Sequence, residues 1–127
     1  MADELAVIRA NTILYCKRWS ETVAFYRDRL GFPVAFANDW FVEFELCAGA
    51  FLSIADQRRT RLQDPAGRTA VTLTLRVADL DKTWQTLGAR GLEPDPIRHH
   101  IWGARVCYLH DPEGHRIEFW EAQPSPL

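Results

Sequence analysis

The chain has no glycine-rich phosphate loop, no nucleophile elbow and no cysteine–histidine pair at a useful spacing, which leaves nucleotide-loop chemistry and covalent catalysis without support. Cysteine itself is scarce. Cys16, Cys47 and Cys107 are an odd count at wide spacing, each inside an apolar, strand-like run. Neither a disulfide framework nor a zinc motif is expected, and the thiols read as buried and free. Charge of one sign is not in excess either: the formal net charge is -2. That offers no electrostatic footprint for nucleic acid, and the run Arg58-Arg59-Thr60-Arg61 is too short to supply one. The acidic start, Met1 to Ala6, is followed by no apolar stretch long enough for a signal peptide or a membrane span. These absences predict a cytoplasmic protein with no nucleic-acid partner and no membrane partner.

What is present is an ordinary globular balance, 127 residues with 47% hydrophobic and 25% charged, enough for one compact unit with a sizeable core. The pattern inside it is written twice. Residues 7–16 read as a strand. Ser20-Glu21 then opens a helical stretch with Val23, Tyr26 and Leu30 at helical spacing and Gly31 as its stop. The same order returns where Leu73, Leu75 and Val77 alternate with Thr72, Thr74 and Arg76. Asp79 or Asp81 can then cap a helix carrying Trp84 and Leu87 and ending at Gly91. Placing Asn11 on Thr72 is an offset of 72 − 11 = 61, which also sets Val23 on Trp84 and Tyr26 on Leu87. Three short strands are expected after each helix, at 33–37, 41–47 and 50–56, and then at about 94–99, 104–110 and 115–121. Gly49 and Gly114 mark the last turn of each half, at an offset of 114 − 49 = 65.

The predicted organisation is a single domain over 1–127. It comprises a half-module at 5–56, a polar linker at 57–69, a second half-module at 70–121 and a tail at 122–127. The fold class is α+β with tandem βαβββ modules, since one helix on one short sheet buries too little by itself.

The segment Asp111-Pro112-Glu113-Gly114-His115-Arg116-Ile117-Glu118-Phe119-Trp120 is a turn followed by a strictly alternating strand. Ile117 and Phe119 fall on one face, and Arg116, Glu118 and Trp120 on the other. This segment resembles the last strand of the vicinal oxygen chelate family, the glyoxalase/bleomycin-resistance/dioxygenase superfamily. Ala24-Phe25-Tyr26-Arg27-Asp28-Arg29-Leu30-Gly31-Phe32 resembles that family's first helix and its exit, and the likeness runs from Asn11 to Glu121. It implies a curved, mixed eight-stranded sheet around a cleft, with the helices on the outer face.

In metal-dependent members of that family, four inward positions supply ligands. By resemblance these fall on Asn11, Ser53, Thr72 and Glu118, and only Glu118 is a good ligand for a divalent transition metal. No cofactor is expected; the alternative is a divalent metal at an atypical set centred on Glu118. His99, His100, His110 and His115 are not expected to replace the missing ligands: His99 and His100 point to opposite faces if extended, His110 precedes the Asp111-Pro112 turn, and His115 shares a face with Ile117.

The same parity predicts the faces. Leu14, Cys16, Val42, Phe44, Leu46, Leu52, Ile54, Cys107 and Leu109 should meet the helices. Asn11, Ile13, Tyr15, Phe41, Glu43, Glu45, Phe51 and Ser53 should lie opposite them, as should Thr72, Thr74, Arg76, Tyr108, His110, Arg116, Glu118 and Trp120. Such a mixture of apolar surface and convergent polar groups suits a small molecule, or else simply faces solvent. Trp84 reads as core and Trp19 as a packing residue ahead of a helix cap. Trp40 at a hairpin tip, Trp102 beside Gly103, and Trp120 are candidates for stacking a planar or cationic ligand or for packing in an oligomer.

The candidate ligand-binding set is thus Asn11, Ile13, Trp40, Phe51, Ser53, Thr72, Thr74, Trp102, Tyr108, Arg116 and Trp120. Glu118 is the candidate catalytic base, with Arg116, Arg76 or Tyr108 stabilising charge. The leading expectation is a metal-free, homodimeric binder of a partly aromatic or cationic organic ligand, similar to the antibiotic-sequestering bleomycin-resistance branch: Asn11, Ser53 and Thr72 depart from the ligand pattern, and open sheet edges and tryptophans outside the core suit a two-fold interface. A lyase, isomerase or dioxygenase-like enzyme using Glu118 as base or in an atypical metal site is the alternative. A purely structural or regulatory protein is the third class.

Overall fold

The computed structural model describes residues 6–59, 71–100 and 103–122, and the chain divides into two compact units, Met1–Gln63 and Asp64–Leu127. Most of the expected linker at 57–69, the tail beyond 122 and Trp102 lie outside the described residues. Among those described, no helix is long and apolar enough to cross a membrane.

In the first unit the order is β1 (Ala10–Cys16), α1 (Trp19–Ala24), β2 (Val34–Ala37), β3 (Phe41–Cys47) and β4 (Ala50–Asp56). In the second it is β5 (Thr72–Arg76), α2 (Leu80–Ala89), β6 (Arg98–His99), β7 (Ala104–His110) and β8 (Arg116–Ala122). Each unit forms one four-stranded mixed sheet, ordered β1-β4-β3-β2 and β5-β8-β7-β6. The first and last strands run parallel, and the other pairs antiparallel. The two registers are copies of one another: Asn11 pairs with Phe51 and Thr72 with Arg116, which are the offsets 61 and 65 read from the repeat.

Alternation along the strands decides what is buried. In the first unit Leu14, Cys16, Val42, Phe44, Leu52 and Ile54 are buried together with Val23, Tyr26 and Leu30 of the helical segment. The Tyr26 and Phe44 rings meet at 6.1 Å. Tyr26, Phe44, Leu52 and Ile54 are fully enclosed, so truncating Phe44 to Ala would cost about 3–5 kcal/mol through lost transfer energy plus a cavity. The helix continues past Ala24 as a wider turn, Phe25–Arg29, in which the Leu30 N–H reaches the Phe25 carbonyl at 2.9 Å. In the second unit Leu80 and Leu87 of α2 are buried, as are Leu73, Cys107, Leu109, Ile117 and Phe119 of the sheet. Asp79 caps α2, its carboxylate accepting from the Lys82 N–H at 3.0 Å. The turn into β4 needs Gly49, whose φ is +80° and where an added Cβ would meet the Ile8 carbonyl at 3.4 Å.

Five expectations change. The strand foreseen at 94–99 shrinks to Arg98–His99, since Pro94 and Pro96 have no N–H to give a ladder. Helix α1 begins at Trp19 rather than after a Ser20 cap, with Arg18 at the cap position making no side-chain cap bond. Trp84 is exposed instead of core: its indole N–H donates to the Asp95 carbonyl at 3.0 Å, holding the segment after α2, whereas the indole N–H of half-buried Trp19 donates to Ile54 at 2.9 Å. Cys47 is exposed while Cys16 and Cys107 are buried. A register shift between Glu45 and Cys47 breaks the alternation there and leaves Leu46 only half-buried.

Candidate functional site

Each sheet turns a second, chemically mixed face away from its helix. In the first unit, register places Ile13, Ser53 and Glu43 in one row, with Asn11, Phe51 and Glu45 beside it. Ser53 is fully buried, and its hydroxyl donates to the Asn11 side-chain oxygen at 2.9 Å. Arg9, one residue before β1, lies over this face: its guanidinium carbon is 3.6 Å from the centre of the Phe51 ring, and Nη2 is 2.6 Å from Glu43 Oε1. Trp40 sits half-buried just before β3, at the rim, with its ring edge-on to Phe41 at 5.4 Å.

In the second unit the equivalent central row is Thr74, Glu118 and Tyr108, flanked by Thr72, Arg116 and His110 on one side and by Arg76, Trp120 and Val106 on the other. Arg116 lies over the Tyr108 ring at 4.6 Å, and its Nε donates to the Thr72 hydroxyl at 3.3 Å. Arg76 lies over the Trp120 ring at 5.4 Å. Tyr108 is also reached by His100, whose Nε2 is 3.2 Å from the phenol oxygen. Burial first, and then a hydrogen bond to the Glu118 carboxylate, push the Tyr108 phenol above its ordinary pKa, so it holds its proton at neutral pH. His100, Tyr108 and Glu118 therefore form a continuous line of hydrogen-bonding side chains.

Strand β8 enters this face at a set angle because of the turn before it. The buried Asp111 carboxylate accepts from the N–H groups of Glu113 and His115 and from the His115 ring at Nδ1, each at 2.9 Å. His115 is spent on that turn and points with Ile117, away from Glu118, as parity required.

The two units thus assemble most of the expected site residues into two patches. Asn11, Ile13, Phe51 and Ser53 share the first face; Thr72, Thr74, Tyr108, Arg116, Glu118 and Trp120 share the second. Two participants escaped the sequence reading. Arg9 has the parity of Asn11, a signal that could have found it, and His100 reaches Tyr108 from beyond the short β6. At the four positions where the family resemblance would place metal ligands, two side chains bond each other, Thr72 accepts from Arg116, and only Glu118 is anionic. Among the described residues no three His, Cys, Asp or Glu side chains cluster as a metal site.

Over residues 8–119 the chain matches the Glyoxalase/Bleomycin resistance protein/Dioxygenase superfamily. Its fold is shared by a glyoxalase/bleomycin resistance protein/dioxygenase from Nocardioides, 23% identical, with 100% of this chain and 92% of that one covered at a TM-score of 0.74. It is shared also by the lactoylglutathione lyase of Agrobacterium tumefaciens, 22% identical over 93% and 96% of the two chains, TM-score 0.73. The antibiotic-binding protein TnmS3 of Streptomyces sp. CB03234 is 19% identical over 95% and 100%, with a TM-score of 0.76.

Proposed function

The chain belongs to the glyoxalase/bleomycin resistance protein/dioxygenase superfamily, and on that premise we propose that it binds, without metal, a small organic molecule that is aromatic or cationic in part. The observation that carries this reading is that three guanidinium groups, those of Arg9, Arg76 and Arg116, lie over the Phe51, Trp120 and Tyr108 rings on the faces opposite the helices. Such faces combine aromatic rings with guanidinium groups stacked on them, the mixture of apolar surface and a few charged groups that suits a small, partly aromatic ligand. The fold of an antibiotic-binding protein is among those it shares, which supports a sequestering role. The donor set supports the metal-free part: an amide, two hydroxyls and one carboxylate hold a divalent transition metal weakly, and the amide and hydroxyls are engaged within the protein.

The reading includes a homodimer in the cytoplasm. Strand β2 is an edge strand exposed along its length, with Val34 and Phe36 uncovered, a surface that proteins commonly bury across a two-fold axis. Three cysteines outside any disulfide suit a reducing compartment.

The line from His100 through Tyr108 to Glu118 favours a second reading, a lyase or isomerase in which Glu118 takes a proton and the protonated Tyr108 phenol donates a hydrogen bond to the oxygen that gains charge. One substitution separates the two. Glu118→Gln keeps the shape and removes the charge. For a binder, titration of an acridinium cation against tryptophan fluorescence should show affinity reduced by about 1–3 kcal/mol, with a neutral acridine almost unaffected. For an enzyme, turnover in a substrate screen should collapse while affinity changes little. No change in either readout would refute the site.

A further inference from the structure

Of the three guanidinium–ring contacts, Arg9 on Phe51 is the closest, at 3.6 Å. The same guanidinium is also paired to Glu43 at 2.6 Å. Phe51 comes from β4 and Glu43 from the neighbouring β3, and the Glu43 side chain is only 14% exposed. A ring face and a partly dry carboxylate therefore converge on one planar cation, the two elements that recognise such ions in general. The cation now seated there is delivered from a weakly held segment. Val7 and Ile8 are 75% and 93% exposed, and the backbone anchor is the Ala10 N–H donating to Gly49 at 2.8 Å. The Arg9 side chain is itself 45% exposed, so what holds it is the ring contact and the ion pair with Glu43.

We infer that Phe51 and Glu43 form a binding site for a planar monocation of the guanidinium or amidinium class, and that Arg9 is a tethered competitor occupying this site in the free protein. The inference deepens the small-molecule reading and rests on it, adding the ligand's charge, shape and position. Planarity matters because a delocalised flat cation can stack on the ring while its N–H groups meet the carboxylate in plane, which a tetrahedral ammonium cannot do. A competitor built into the chain lowers apparent affinity by the fraction of time the site is open. The device selects for ligands that outbid a lone arginine.

The test is calorimetric titration of benzamidinium into the wild-type protein and four variants, Glu118→Gln among them. If Arg9 fills the site about nine-tenths of the time, Arg9→Ala should tighten benzamidinium about tenfold. Adding Glu43→Gln to that variant should weaken it again by about tenfold. Arg9→Lys, which retains the ion pair but not the flat stack, should fall between wild type and Arg9→Ala. Neutral benzamide should gain nothing from Arg9→Ala. The inference is overturned if Arg9→Ala leaves benzamidinium affinity unchanged or lowers it, if Glu43→Gln has no effect in that background, or if no variant binds benzamidinium at millimolar concentration. If benzamidinium binds, ignores the Arg9 and Glu43 changes and is lost on Glu118→Gln, this site is refuted while the small-molecule reading stands.

Discussion

Asp111→Ala is the sharpest perturbation of the turn that aims β8. Its carboxylate is fully enclosed, and at 2.9 Å it receives two backbone N–H groups and the ring N–H of His115, itself buried. Removing the carboxylate leaves three donors short of an acceptor. Each buried donor left unsatisfied costs about 1–3 kcal/mol, less where water can enter the vacated volume, so the expected loss is about 3–5 kcal/mol. That is about a third of the roughly 5–15 kcal/mol by which domains are usually stable. Asp111→Asn keeps one oxygen for the two backbone groups and should lose only about 1–2 kcal/mol, since the His115 contact alone is replaced by a weaker neutral one. Urea unfolding followed by far-ultraviolet circular dichroism reads both, and the midpoint should fall in the order wild type, Asn, Ala with the slope unchanged. Because β8 carries Arg116, Glu118 and Trp120, tryptophan emission of the Ala variant should also shift before global unfolding. An Ala variant within 1 kcal/mol of wild type, as measured to the roughly ten per cent such extrapolations allow, would refute the turn as the element that sets β8.

Other outcomes are open to direct measurement. Protein purified without chelator should carry clearly substoichiometric zinc, iron, manganese or nickel by elemental analysis, and a stoichiometric metal surviving dialysis would overturn the metal-free reading. Sedimentation should find a dimer at micromolar concentration, and Phe36→Lys on the exposed β2 should shift it toward monomer; a wild-type monomer contradicts the assembly. In the native protein a thiol reagent should modify Cys47 and spare Cys16 and Cys107. Burial pushes the Cys107 thiol up to about 11, so its contribution to stability is complete below the thiol's ordinary value and drains away as pH rises toward about 11. Urea midpoints measured from neutral to alkaline pH should decline in that window, and rapid labelling of all three thiols at neutral pH would contradict the burial.

Much of this was decided by short-range pattern. A strand's two-residue period and a helix's 3.6 are local consequences of backbone sterics, so Leu52 and Ile54 could be assigned to the core, and Ser53 and Phe51 to the opposite face, before any contact was known. The offsets of 61 and 65 carried the register of Asn11 with Phe51 over to Thr72 with Arg116: the second module is longer by 65 − 61 = 4 residues between its first and last strands, an even number that keeps each strand's parity. What escaped depended on partners distant in sequence. Whether Trp84 is core or exposed turns on where the Asp95 carbonyl comes to rest. Cys47 is exposed at the end of β3, on the parity of Glu43 and Glu45, and the register shift beside it is not announced by the composition of that strand. Arg9 is outside every strand and helix, and only the folded sheet brings Phe51 and Glu43 together beneath it. The sequence by itself determined the faces, since parity is a property of each strand alone; the tertiary structure decided which side chains those faces engage, since a cation on a ring or a hydrogen bond between His100 and Tyr108 exists only when separate segments meet.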